Sequence, residues 1–443
     1  MTNCYRELVS HADPTTKLPL MDSPTFKGCT KKYTKEVFRE SLAEYIATER
    51  PTYPLKTITY EKMRQTFQSL ANLDSRSSRD KRNSPETICV PVDQLSQEVV
   101  EKYDDYKYPF SEWGRGVIQG ASTYNDASDY FHQHLRLHCS SYNFRGSKEV
   151  WENGTAKDIW KIFGALWRGV NSTQDLSEKS YREAIRLGTY IATQFKPVVA
   201  KVIYDLIQAS VVLDTSCGWG DRLCGFYASG ADFYIGCDPN PNTFEQYKRQ
   251  VVEYEKLMGK VTPTIKESPS MWSYTGKKKV LLFRCGAENL PWSDLPPVDM
   301  VFTSPPYFST ERYNEGGKHQ DDQSWHKFTQ YEMWRDLFFL PVAEKSMKLS
   351  RYMFVNIMDP KIKGVRYRSC DELVDHLRDQ FMGQLGMKIM RRPKSDTLFK
   401  NEDEKRKHAA DTFIENVWCF TNQQPKPDMF EHMRKTSLES FMV

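Results

Sequence analysis

No run in this chain approaches the ~18 consecutive apolar residues that a membrane-crossing helix needs, and its opening stretch, Met1 to Glu7, lacks a secretory apolar centre. A soluble protein of the cytoplasm is expected, with a nuclear or viral setting left open. The ten cysteines include no CxxC pair, which argues against a zinc ribbon or a disulfide framework. His134 and His138 stand four apart with His132 and Cys139 close by, but position 135 is not glutamate. The HExxH pattern of a zinc hydrolase is thus missing, and no metal is expected. A strong charge of one sign is also missing: the net charge is +4. That allows a polyanionic partner without demanding one.

What is present is enough apolar material for a sizeable core, 39% of 443 residues, under a wet surface with a mean hydropathy of −0.66. At roughly 150 residues per domain the length accommodates two or three domains. Residues 1–150 read as a mixed, mostly helical region, with helical periodicity at 35–50 and 60–73. Arg76, Arg79, Lys81 and Arg82 fall in a polar stretch that reads as an exposed linker or as a phosphate-contacting loop. Between 100 and 150, aromatics alternate with arginines, among them Tyr103, Tyr106, Phe110, Trp113, Arg115, Tyr130, Phe131, Arg136, Tyr142 and Phe144. Such interleaving suits extruded or single-stranded bases and equally suits the core of a small helical domain. Residues 151–209 read as a helical lead-in, and 423–443 as a tail.

From residue 210 the texture changes. Short apolar strands are expected at 211–214, 231–237, 279–284, 298–303, 351–358, 387–392 and 413–420, alternating with helices at 244–257, 329–349 and 371–384. Strand–helix alternation implies a mostly parallel, doubly wound α/β sheet. The first strand ends at Asp214 and runs into Thr-Ser-Cys-Gly-Trp-Gly-Asp-Arg-Leu, a glycine turn opening a helix. Gly218 and Gly220 fit the start of a dinucleotide fingerprint, but its third glycine is replaced by Leu223. An acid before the turn would also repel a phosphate, so a nicotinamide cofactor is disfavoured and a cationic cofactor is favoured. The second strand ends at Asp238, placed to meet ribose hydroxyls. The fourth strand stops at Thr303-Ser304-Pro305-Pro306-Tyr307. Proline cannot continue a central strand, so a hydroxyl, fixed carbonyls and a ring are left at the strand end where ligands bind in open α/β sheets.

The pattern Asp-x-x-x-Gly-x-Gly, followed by an acid one strand later, resembles the first motif of S-adenosylmethionine-dependent methyltransferases. Ser-Pro-Pro-Tyr resembles the catalytic motif of the amino-group DNA methyltransferases, and the resemblance covers about residues 190–422. It implies a Rossmann-like seven-stranded methyltransferase sheet and S-adenosyl-L-methionine as cofactor. The residues it puts on that cofactor are Asp214, Cys217, Gly218, Gly220, Asp238, Pro239, Ala287, Glu288 and Thr303, with Phe195 and Lys196. Members often carry Phe-x-Gly-x-Gly before the first motif, where this chain has Phe195-Lys196-Pro197. The catalytic residues it implies are Ser304, Pro305, Pro306 and Tyr307. Ser304 Oγ and the Pro305 carbonyl would draw on the hydrogens of a base amine, and Tyr307 would stack on a base extruded from a DNA duplex or held in a single strand. Serine in place of aspartate inclines the expectation to cytosine N4 over adenine N6. An RNA base, a protein glutamine, or a catalytically inactive nucleic-acid-binding module are the alternatives. Residues 1–150 would then recognise the target, and the oligomeric state is left open.

Overall fold

The computed structural model describes residues 2–55, 57–75, 89–90, 105–109, 114–141, 144–167, 171, 173–389, 401–404, 413–424 and 426. The basic stretch at 76–82 and the residues Tyr103, Phe110, Trp113 and Tyr142 lie outside them, as does nearly all of the tail. The strands are β1 (Cys89–Val90), β2 (Gly114–Gln119), β3 (Val211–Asp214), β4 (Phe233–Cys237), β5 (Thr264–Ser268), β6 (Met271–Thr275), β7 (Lys279–Phe283), β8 (Val298–Thr303), β9 (Ser350–Asn356), β10 (Lys361–Ile362), β11 (Val365–Arg366), β12 (Phe381–Ile389) and β13 (Phe413–Thr421).

Eleven of these form one sheet in the order β1-β2-β12-β13-β9-β8-β3-β4-β7-β6-β5. The seven expected strands are its centre, from β12 to β7, in a Rossmann-like arrangement. β3 pairs in parallel with both β4 and β8, and β8 pairs in parallel with β9. Chain order therefore runs outward in one direction from β3 and in the other from β8. The crevice above that reversal is where such sheets bind ligands. β13 runs antiparallel between β9 and β12, so its first residues lie level with the carboxyl ends of the parallel strands.

The sheet is wider than expected because both edges are extended. The hairpin β5–β6 continues from β7. Its outer strand is exposed at every position, so it carries no alternation for sequence reading to find. At the other edge β2, from the N-terminal region, pairs in parallel with β12. The helix expected over 371–384 ends at His376, and β12 begins at Phe381. Phe381, Met382, Leu385 and Met387 are all buried, so this strand is covered on both faces and its apolar residues do not alternate, and periodicity cannot tell it from a buried helix. The helix expected over 329–349 is present, but Arg335–Phe339 takes π turns just before Pro341, which lacks a backbone donor.

The expected boundary at residue 150 does not match how the cores divide. One core lies on one face of the sheet. It joins helices Pro197–Ile207, Asp221–Ala228 and Pro241–Met258 to helices Tyr60–Ala71 and Asp126–His138 from the N-terminal region. A second, on the opposite face, joins the 331–349 helix, helix Ser369–His376, Tyr106 and Tyr108. The third is separate and mostly helical, built from residues 4–46 and 150–185, with Met21 and Leu176 joined by an antiparallel bridge. The helical unit is thus assembled from two distant segments, and residues 60–138 belong largely to the sheet. Among the described residues no helix is long and apolar enough to cross a membrane.

Candidate active site

The glycine turn after β3 is shaped by two left-handed residues, Gly218 at φ 55° and Gly220 at φ 70°. They do different things. A Cβ on Gly220 would strike Gln250 Oε1 and come within 2.6 Å of His132 Nε2. His132 is fully buried, bonds Gln250 at 3.0 Å, and is held neutral by that burial, its pKa pushed down to about 3. It is therefore a strut under the turn. At Gly218 the space where a Cβ would stand is open, with Ser216 O the nearest atom at 3.8 Å. Its N–H donates to Asp238 Oδ2 at 3.0 Å.

Asp238 ends β4 on the rim of the crevice. Its other oxygen accepts from Asn240 N at 3.0 Å and from Thr243 Oγ1 at 3.3 Å. Burial outweighs these bonds and raises its carboxyl to about 6. Pro239 is partly exposed and precedes Asn240, which caps helix Pro241–Met258. Cys217 points inward, its buried thiol 3.4 Å from the Tyr234 hydroxyl, while its N–H ties the turn to Cys237 O at 3.0 Å.

Asp214 is not free for a cationic ligand. It is fully buried and accepts from Arg222 Nε and the Tyr234 hydroxyl, each at 2.8 Å. The Arg222 guanidinium lies 5.2 Å from the Phe195 ring, and Phe195 packs edge-on to Phe302 of β8 at 5.8 Å. Asp214 and Phe195 thus brace the turn from behind. After β7, Ala287 is buried and its carbonyl accepts from Trp292 Nε1 at 3.1 Å. Glu288 folds back over Gly286 and pairs with Lys327 at 3.0 Å.

Thr303 closes β8, and its hydroxyl meets that of Thr215, just past β3, at 2.9 Å. Both are buried, so the two strand ends on either side of the reversal are joined. Past this pair Ser304 is partly exposed, Pro305 is buried, and Pro306 and Tyr307 stand partly exposed at the rim. The Tyr307 hydroxyl donates to Asn356 O at 3.1 Å, at the end of β9. Burial pushes its phenol up, and the Ser304 hydroxyl is within bonding reach of it.

Residues 308–323 then fold across the crevice. Phe308 takes φ 49° and Asn314 φ 60°. Tyr313 packs edge-on to Trp219 of the glycine turn at 5.8 Å. Glu311 accepts from Thr193 Oγ1 at 3.0 Å and from the Tyr313 hydroxyl. Ser140 and Ser141 hold the loop at Glu315 O and Arg312 N, at 2.8 and 2.9 Å. The N-terminal region therefore meets the site here.

Among the described residues, the aromatics and arginines read from 100–150 mostly pack inside. Tyr106 lies against Trp418 at 5.3 Å, Tyr108 and Phe131 are buried, and Arg136 grips Asp129 at 2.7 Å. Phe144 is exposed.

Several rim residues are not among the site residues expected from the sequence: Trp219, Glu311, Tyr313, Asn356 and Glu415. Only Glu415 left a signal, as an acid inside the otherwise apolar stretch 413–420. Lys196, half-buried, has its ammonium pushed down by burial and lies within electrostatic reach of Asp221 and Glu415.

No protein-family model and no curated protein matches the chain. Among solved structures it is similar to the N-terminal domain of EvdMO1 with SAH bound, at 11% identity over 52% of this chain and 82% of that one, with a TM-score of 0.30. It is also similar to Trm1 from Pyrococcus horikoshii in complex with S-adenosyl-L-methionine (12%, 51% and 56%, 0.31) and to the METTL16 MTase domain (10%, 51% and 67%, 0.29). At such TM-scores these likenesses carry no functional argument.

Proposed function

We propose that this chain is an S-adenosyl-L-methionine-dependent methyltransferase acting on the exocyclic amine of a base in DNA, cytosine N4 ahead of adenine N6. The observation that carries the reading is the joining of two half-sites at one crevice. The glycine turn and Asp238 stand on one side of the Thr215–Thr303 pair, and Ser-Pro-Pro-Tyr stands on the other.

The residues fit the cofactor. The open face of Gly218 leaves room for a ligand to approach the backbone. Asp238 is partly exposed at the end of the strand next to Gly218, where a carboxylate can accept from a ribose hydroxyl. When bound, S-adenosyl-L-methionine supplies an electrophilic methyl group. The chain's own part is positioning. An exocyclic amine is a weak nucleophile because its lone pair is delocalised into the ring. Two acceptors aimed at its hydrogens favour a tetrahedral nitrogen and localise that pair. Ser304 Oγ and the Pro305 carbonyl are those acceptors, and the buried proline ring fixes the carbonyl before substrate arrives. The tether from Tyr307 to Asn356 holds the ring at the rim, as a stacking surface requires.

The test offers labelled methyl donor with duplex DNA, single-stranded DNA, RNA and protein, followed by nucleoside and amino-acid analysis. Methylcytosine or methyladenine in DNA supports the reading. Label in RNA or glutamine moves the substrate to one of those amines. Donor binding with no transfer to any DNA overturns the DNA assignment, and no donor binding leaves only a nucleic-acid-binding module.

A further inference from the structure

Glu415 is an acid at this rim that the reading above does not use. Its position follows from topology. β13 runs against its neighbours, so its early residues rise to the carboxyl ends of β8 and β9. Val417 pairs with Asn356 of β9, and Thr303 of β8 pairs with Val355. Glu415 lies two residues before Val417 and hence on the same face of the strand. That places it one step beyond Asn356, over the rim that Ser304 and Tyr307 occupy.

The surroundings are specific. The Asn356 side chain is within bonding reach of the Glu415 carboxylate, and Asn356 is itself fixed, buried and donating from Nδ2 to Asn416 O at 3.0 Å. Tyr307, on the loop after β8, donates to the same asparagine. From the 308–323 loop Glu311 faces Glu415 with like charge, and from the segment before helix Pro197–Ile207 Lys196 faces it with opposite charge. An acid inside an apolar strand costs stability unless it is hydrogen-bonded, paired or neutralised.

Methylation of an amine creates a need that Ser304 and Pro305 do not meet. Nitrogen uses its lone pair to form the N–C bond, and the S–C pair leaves with sulfur. The product nitrogen is then a cation with one proton too many. A serine hydroxyl and a backbone carbonyl are both too weakly basic to take that proton.

Resting on the proposed methyl transfer, we infer that Glu415 is the proton acceptor of the transfer site. The N–H bond of the methylated amine breaks, its electron pair returns to nitrogen, and the proton passes to a Glu415 carboxylate oxygen, directly or through one water. Burial raises that carboxyl to about 7, and an acceptor is most effective when its pKa lies near the working pH.

The experiment compares the full-length chain with Glu415→Gln and Glu415→Asp, measuring donor affinity and single-turnover transfer to the substrate that the wild type methylates, from pH 5.5 to 9. In the wild type the rate rises with pH through about 7, as the carboxyl loses its proton, and then levels. Glu415→Gln keeps donor affinity, loses roughly 10²-fold or more in rate and loses this rise, whereas Glu415→Asp restores part of both. The carboxyl is also followed without turnover, by isotope-edited infrared titration of the wild type against Glu415→Gln. A midpoint near 7 that is absent from the variant supports the assignment, and a midpoint below 5 overturns it. A Glu415→Gln enzyme that keeps the wild-type pH profile overturns the proton-acceptor role alone. A wild type that binds donor and methylates nothing overturns the proposed transfer as well.

Discussion

The two sides of the crevice are built differently. The side proposed for the methyl donor comes from nearly contiguous chain: β3, the turn at 215–220, β4 and the Asp238–Thr243 cap. The side proposed for the amine is gathered from four distant places, at 193–196, 304–313, 356 and 415. A site made by one local turn is fixed by its own glycines. A site made by convergence depends on the whole sheet, and it can hold buried charge that no local segment would tolerate.

The sharpest way to break this comparison is to damage each side alone. Ser304→Ala should lower the transfer rate about 10²-fold, the scale of losing one preorganised partner, and leave donor affinity unchanged by calorimetry. Asp238→Ala should do the reverse, weakening donor affinity by about 10-fold or more, as expected when a charged partner is lost. Equal effects of both variants on donor affinity would mean that the two sides do not act separately.

The two glycines give the next largest contrast. Gly220→Ala combines left-handed backbone strain with contact against Gln250 and His132, and it should cost on the order of 3 kcal/mol in denaturant unfolding. Gly218→Ala meets open space and should cost about 1 kcal/mol, yet weaken donor binding. A donor affinity untouched by Gly218→Ala would place the ligand elsewhere.

The smallest effect sharpens the comparison on the donor side. Asp221 is buried at the start of helix Asp221–Ala228. Its Oδ1 accepts from Ser128 at 2.5 Å and Gln194 at 2.9 Å, and burial raises its carboxyl to about 7. The unfolded chain releases this proton near pH 4, so between about 4 and 7 the folded state binds more protons and stability falls as pH rises. Asp221→Asn keeps both accepted bonds and should flatten that fall, seen as a melting temperature that changes less between pH 5 and 8. An unchanged slope would show that Asp221 ionises normally.

The same local-versus-convergent difference governs what was legible in the sequence. β3, β4, β7 and β8 were readable as short apolar runs, and the donor-side residues Gly218 and Asp238 as local spacings. Asp214 was readable as a position but not as a role, because Arg222 and Tyr234 reach it only in three dimensions. Asn356 and Glu311 were invisible as site residues, since their neighbours are distant in the chain, Glu415 on another strand and Thr193 118 residues away. The edge hairpin was missed because β5 is exposed throughout, and β2 because a strand borrowed from the N-terminal region carries no mark of its distant partner.

The hydroxyl pair between Thr215 and Thr303 gives the reaction a ruler. β3 and β8 are hydrogen-bonded neighbours, and adjacent strands are spaced about 4.8 Å apart. A donor seated over one strand end and an acceptor seated over the other are therefore separated by a fixed step of the sheet, which neither ligand has to establish for itself. In the proposed transfer that step, lying beside the Trp219–Tyr313 contact, would set the distance across which the methyl group travels, the same from one turnover to the next.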